Sequence, residues 1–166
     1  PLAELKRSAH GGEAAAQFAL AARYASGDAV EQDWAEAYKW FKLAAEQGVP
    51  TAQHNLAVMY ERSRGTDQNL EEAAKWYEKA AEQGYPPSQF NLAVAYARGW
   101  GVPTDPVKAV TWFERAAERI PQANLALAEI FENGVGVGRD LIRARSHYQL
   151  AATAGDQRAA AKLRQL

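Results

Sequence analysis

Lys75-Trp76-Tyr77-Glu78-Lys79-Ala80-Ala81-Glu82-Gln83-Gly84 decides the fold, because Lys39-Trp40-Phe41-Lys42-Leu43-Ala44-Ala45-Glu46-Gln47-Gly48 precedes it by 36 residues in the same register. A third copy, Thr111-Trp112-Phe113-Glu114-Arg115-Ala116-Ala117, follows 36 residues later, and a fourth, His147-Tyr148, arrives after 35. Self-similarity at such a period is the signature of a stacked-repeat architecture.

Other columns keep step. Leu20, Leu56, Leu92 and Leu127 recur at 36, 36 and 35 residues, as do Tyr24, Tyr60, Tyr96 and Phe131. Ala37, Ala73, Ala109 and Ala144 form a further column, and the fourth unit loses its residue in the short link Arg119-Ile120-Pro121. Each unit reads as two helices. Ala16, Leu20, Ala21 and Tyr24 lie at i, i+4, i+5 and i+8, and Ala37, Trp40, Phe41, Ala44 and Ala45 repeat that stripe, which only a helical period keeps on one face. Alanine in these stripes lets two helices approach closely.

The breaks agree with this reading. Gly27, Gly99 and Gly134 stand where a first helix should end, with Ser63 as the exception. Asp33, Asn69, Asp105 and Asp140 follow as N-caps of the second helices. Glu36 and Glu72 sit three residues on, as capping boxes require, and Pro106 stands at a first helical position. The expected repeats are near 13–47, 49–83, 85–118 and 120–153. Residues 2–10 read as the end of a preceding second helix. Residues 156–166 read as a further first helix whose Arg158, Lys162 and Arg164 suit a polar cap.

Ala52-Gln53-His54-Asn55-Leu56-Ala57-Val58-Met59-Tyr60, Gly99-Trp100-Gly101-Val102 and the tryptophan-bearing stretch at 75–84 resemble the Sel-one-like repeat, a relative of the tetratricopeptide repeat. The resemblance covers nearly the whole chain. It departs at Arg62-Ser63-Arg64-Gly65-Thr66, where a glycine-rich turn is usual, and at His147-Tyr148. It implies an all-α, right-handed superhelical solenoid, here a single domain over 1–166 with first helices lining a concave surface. It also implies a protein-binding adaptor or regulator, often bacterial and of the cell envelope, which favours envelope over cytoplasm.

Composition narrows the function further. Nineteen basic against twenty acidic residues give a net charge of −1, unlike the cationic footprint of a nucleic-acid binder. With no cysteine, neither a disulfide framework nor a thiolate metal site is available. No run approaches the roughly 18 apolar residues of a membrane span, and residues 1–12 lack the apolar centre of a signal peptide. The chain opens at Pro1 rather than at methionine, which leaves room for a preceding leader or domain.

Motifs for chemistry fail. His10, His54 and His147 are scattered over different units, and no His-Glu-x-x-His or EF-hand spacing occurs. The glycine-rich stretches at 99–102 and 134–138 lie between helices and lack the context of a phosphate loop. Ser26, Ser63, Ser88 and Ser146 sit in no nucleophile elbow. No cofactor, metal or catalytic residue is therefore expected. The rival readings are a β-lactam-binding or hydrolase-like protein, as proposed for cysteine-rich members of the family, and a peptidoglycan- or glycan-binding envelope protein. Trp40, Trp76 and Trp112 are expected in the core, whereas Trp34 and Trp100 break the columns. For Trp100, partner contact and simple packing over the turn are evenly balanced.

Within a repeat, the positions that differ between copies on the first helix are those free to encode recognition. If the face assignment of tetratricopeptide-like repeats carries over, these are Phe18, Ala22, Ala25 and Ser26; His54, Val58, Glu61 and Arg62; Phe90, Val94, Ala97 and Arg98; and Leu125, Glu129, Glu132 and Asn133. Phe18, His54, Phe90 and Leu125 would form an apolar ladder, which packing between units would explain as readily. Arg62 and Arg98 suit an acidic group, and Glu129 and Glu132 a basic one. The expected partner is a peptide or another protein bound by a monomer, with no nucleic acid and no membrane insertion.

Overall fold

The computed structural model describes residues 1–166 and contains ten α-helices and no strands. They are α1 (Leu2–His10), α2 (Ala14–Ser26), α3 (Trp34–Glu46), α4 (Pro50–Arg62), α5 (Leu70–Glu82), α6 (Pro86–Arg98), α7 (Pro106–Ala117), α8 (Gln122–Asn133), α9 (Leu141–Thr153) and α10 (Gln157–Leu163). Their contacts gather into two compact units, Pro1–Tyr85 and Pro86–Leu166.

In the first unit α2 pairs with α3 and α4 with α5, while α1 packs on α2 and α3 on α4. In the second, α6 pairs with α7 and α8 with α9, with α7 against α8 and α10 against α9. The repeated columns are the core of both. Leu20, Leu56, Leu92 and Leu127 are all buried, as are the alanines at 37, 73, 109 and 144. A methyl group at each crossing brings the paired helices close, so the dry interior is made largely of alanine with a leucine or two and two or three rings per repeat.

The caps form as sequence dictates, with one correction. Asp33, Asn69 and Asp105 accept from the amides of Glu36, Lys108's counterpart Glu72, and Lys108 at 3.0–3.1 Å, and Asp140 accepts from Ile142 and Arg143. The reciprocal half of the capping box does not form at Glu36 or Glu72. The N-cap amides donate instead to the carbonyls of Tyr24 and Tyr60, and those of Asp105 and Asp140 do the same to Tyr96 and Phe131. Each repeat thereby ties the start of its second helix to the end of its first. Released from capping, Glu36 accepts from Trp40 Nε1 at 3.2 Å and Glu72 pairs with Lys75 at 3.3 Å. Ser63, the exception among the helix-ending glycines, adopts the same left-handed conformation with φ 54.

A polar column that the apolar periodicity does not reveal joins successive repeats. Gln17 and Gln53 are 5% exposed, and each donates to the carbonyl of a preceding helix, Ala9 and Ala45 respectively. Gln47 Nε2 then bridges the Gly12 carbonyl and Gln17 Oε1, and Gln83 Nε2 bridges the Gly48 carbonyl and Gln53 Oε1, all at 2.8–3.0 Å. In the fourth repeat the place of Gln47 and Gln83 is taken by Ala154, and Asn124 meets His147 Nδ1 at 3.1 Å. Gln53→Leu removes two hydrogen bonds, to the Ala45 carbonyl and from Gln83 Nε2, while Ala45 keeps the Gly48 amide, so it is expected to lower stability by about 1–3 kcal/mol despite its greater hydrophobicity, at roughly 0.5–1.5 kcal/mol for each bond lost. Urea unfolding followed by circular dichroism checks this, and an unchanged midpoint would refute it.

The C-terminal helix meets the expected cap in part. Ala159 is buried, and Lys162 reaches Glu132 at 3.2 Å. Ile142 and Leu150 on α9 nevertheless remain 84% and 52% exposed, so the polar residues of α10 do not cover the last second helix.

Candidate functional site

The first helix of each repeat presents one face to its own second helix, and a side chain engaged there is not free to meet a partner. The apolar ladder belongs mainly to packing. Phe18 meets Phe41 edge-on at 5.7 Å, Phe90 meets Phe113 at 5.5 Å, and His54 lies 5.4 Å from Tyr77 and 5.3 Å from Tyr85. All three are half-buried. Leu125 is buried at 7% exposure and offers a partner almost nothing.

Two of the acidic positions are likewise committed inside the fold. Tyr77 donates its hydroxyl to Glu61 at 2.8 Å, and Tyr148, fully buried, donates to Glu132. The corresponding second-helix residues of the other two repeats are Phe41 and Phe113, and there the acidic position is Ala25 or Ala97. A buried phenol needs an acceptor and a phenyl ring does not, so variation between copies at this position follows the ring beneath it. Glu132 also holds Lys162, and the Tyr148 bond, with help from Lys162, keeps its carboxyl below the usual carboxylate range. Burial pushes the Tyr148 hydroxyl above its ordinary value.

The remaining candidates face outward. Arg62, Arg98 and Glu129 are exposed, and Val58 and Val94 are half-buried. The Arg98 guanidinium stacks 4.9 Å from the ring of Trp100, which is 41% exposed. In the first unit, a cavity of about 330 Å³ opens on the first-helix side, between Ala22, Ala25 and Ser26 of α2 and Asn55, Val58 and Met59 of α4. Phe41 and Trp34 of α3 complete it, and Arg64 closes its rim with its guanidinium 4.8 Å from the Trp34 ring. Asn55, Met59 and Arg64 are not among the positions expected to meet a partner, and Trp34 stands out only as a break in the columns. The signal for Trp34 was its break from the columns, since an aromatic that no repeat requires is free to serve a surface.

His54 gives this face a pH dependence. Burial holds its imidazole pKa at about 4, below the ordinary 6.5. The folded chain thus keeps the ring neutral while the unfolded chain begins to protonate it near pH 6.5. Its contribution to stability is intact above that pH and is lost as the pH falls from 6.5 toward 4. Burial also lowers the His147 pKa, with the Arg143 charge adding to it. His54→Phe, which matches Phe18 and Phe90, is expected to flatten the fall of Tm between pH 6.5 and 4. Parallel Tm curves for the two proteins would show that His54 titrates normally.

No group of three or more His, Cys, Asp or Glu side chains is placed to hold a metal ion. No helix is long and apolar enough to cross a membrane.

Comparison with known proteins fits this geometry. The model of the Sel1 repeat matches residues 14–49, 50–85, 86–119 and 121–156. The crystal structure of c5321, described as a protective antigen present in uropathogenic Escherichia coli strains and displaying an SLR fold, superposes with a TM-score of 0.89 at 38% identity, over 96% of this chain and 34% of the other. A Sel1 repeat protein from Oxalobacter formigenes gives 0.88 at 34% identity, over 92% of this chain and 63% of the other. Helicobacter pylori cysteine rich protein B shares the fold at 21% identity, with a TM-score of 0.57 over 72% of this chain and 92% of its own. The chain therefore spans about a third of the first relative's length and under two thirds of the second's. No curated protein matches it. Proteins with this repeat commonly act as protein-interaction scaffolds, and the fold is generally non-enzymatic. Four repeats matched in tandem, and two solved relatives more than 30% identical over nearly all of its residues, place this all-α chain in the Sel1 repeat family.

Proposed function

We propose that the chain is a non-catalytic protein-interaction module that takes a peptide or a partner protein on the groove side of its first helices. The observation that carries this reading is the division of labour on those helices. Phe18, His54, Phe90, Leu125 and Glu132 are engaged with the second helices, whereas Val58, Arg62, Val94, Arg98 and Glu129 keep accessible surface. A fold that spends its titratable groups on caps and packing, and leaves guanidinium groups and small apolar side chains outward, suits recognition better than bond chemistry.

Reversing Arg62→Glu and Arg98→Glu, singly and together, tests the reading. Affinity capture from source-cell lysate should recover a partner with the native chain and lose it with the double reversal, while helicity and Tm stay nearly unchanged, because exposed charges contribute little to folding. Equal recovery of every protein by both forms would overturn it.

A further inference from the structure

The cavity of the first unit is specific enough in its chemistry to say what kind of segment it takes, resting on the interaction reading above. Its volume arises from small residues. Ala22 and Ala25 stand on α2 where a longer side chain would fill the space over Phe41, and the cavity measures about 330 Å³. Met59 and Phe41 give it an apolar floor, and Trp34 an aromatic end wall. Such a recess suits one large apolar side chain and offers nothing to hold a charged one at its base.

Its rim is polar in a definite sense. The half-buried side-chain amide of Asn55 lines the recess and carries both a donor and an acceptor that suit the backbone of an extended segment. Asn55, Val58, Met59 and Arg62 follow one another at i, i+3, i+4 and i+7, which places Arg62 on the same face of α4 one turn beyond the recess. Arg64 itself lines the recess, stacked on Trp34. Both guanidinium groups are exposed, and neither forms an ion pair. Two unpaired cations beside an apolar recess are complementary to carboxylates on either side of an apolar residue.

We propose that this recess binds an extended acidic segment of a partner protein, with one large apolar side chain in the cavity, its backbone on the Asn55 amide, and flanking carboxylates on Arg62 and Arg64. Met59 is the single methionine of the chain, so a carbon-13 label on its methyl group gives one NMR resonance at the cavity floor. The probe is the blocked peptide acetyl-Glu-Asp-Glu-Leu-Glu-Asp-Glu-amide. It should shift that resonance saturably. Replacing its leucine by alanine, or all its acids by lysine, should weaken the response at least tenfold. Ala25→Phe, which fills the recess, and the exposed pair Arg62→Glu with Arg64→Glu should each abolish it.

An unmoved Met59 signal at millimolar peptide overturns the proposal, as does equal binding of all three peptides. A response only to a peptide with a free C-terminal carboxylate overturns it in favour of chain-end recognition. If a captured partner is lost on reversing Arg62 and Arg98 but binds Ala25→Phe and the Arg62/Arg64 pair normally, the recess assignment fails and the interaction reading stands.

Discussion

Trp76→Ala is expected to remove about 3–5 kcal/mol of folding free energy, as truncation of a buried large aromatic does. Trp76 lies in α5 at 8% exposure, with Ala73, Ala74, Ala80 and Ala81 buried on the same helix. Those neighbours are already as small as a helix former allows, so they cannot collapse into the hole. Lys79 extends over the ring, its Nζ 4.3 Å from the centroid, and loses that support too. A domain of this size holds about 5–15 kcal/mol in all, so the loss would be visible as a large drop in urea midpoint. Trp112 supplies the contrast, because it is half-exposed where Trp40 and Trp76 are buried. The core assignment read from its column is thus weaker than for its two counterparts, and Trp112→Ala should cost clearly less. A Trp76→Ala loss under about 1 kcal/mol, or equal losses at 76 and 112, would contradict this account.

Gly65→Ala is expected to cost about 3 kcal/mol or more, from two sources acting together. The residue sits at φ +72, which an L side chain adopts only at a penalty, and a Cβ built there would lie 2.1 Å from the Trp34 carbonyl oxygen. That oxygen is backbone at the start of α3 and cannot swing aside, so the loop after α4 would have to lift. Arg64 would leave Trp34 with it, and the recess would lose its rim. Thermal unfolding and the Met59 resonance should therefore change together. Ala29 occupies the equivalent place in the first repeat at φ 62, so Ala29→Gly should act in the opposite direction and raise stability by up to about 1 kcal/mol. A neutral Gly65→Ala would show that the loop is looser than its geometry.

What the sequence disclosed and what it hid divide along a physical line. Leu56, Ala73, Trp76 and their copies are fixed by stacking, so they recur at 35 or 36 residues and draw the helix pairs within a few residues of their ends. Gln53 recurs too, as Gln17 and Gln89, yet a glutamine on a helix reads as solvated until its partners, the Ala45 carbonyl and the Gln83 amide, are seen across the repeat boundaries. Glu61 and Glu132 mislead for a related reason. They vary between copies, but the variation goes with the presence of Tyr77 or Tyr148 on the facing helix. The recess in the first unit is a matter of absent volume at Ala22 and Ala25, and missing volume leaves no periodic trace in a sequence already rich in alanine.

The glutamine bridges carry a consequence for how such a chain can lengthen or shorten over time. Gln47 and Gln83 each reach back 35 residues to a glycine carbonyl and 30 to another glutamine, so each of these two joints brings its halves from neighbouring segments of equal length. Duplicating or excising a whole 36-residue segment leaves each surviving joint complete, whereas a slip of one residue orphans it. Recombination at these boundaries is therefore cheap for stability only in whole modules, and the gene can change the reach of its product without redesigning a single contact.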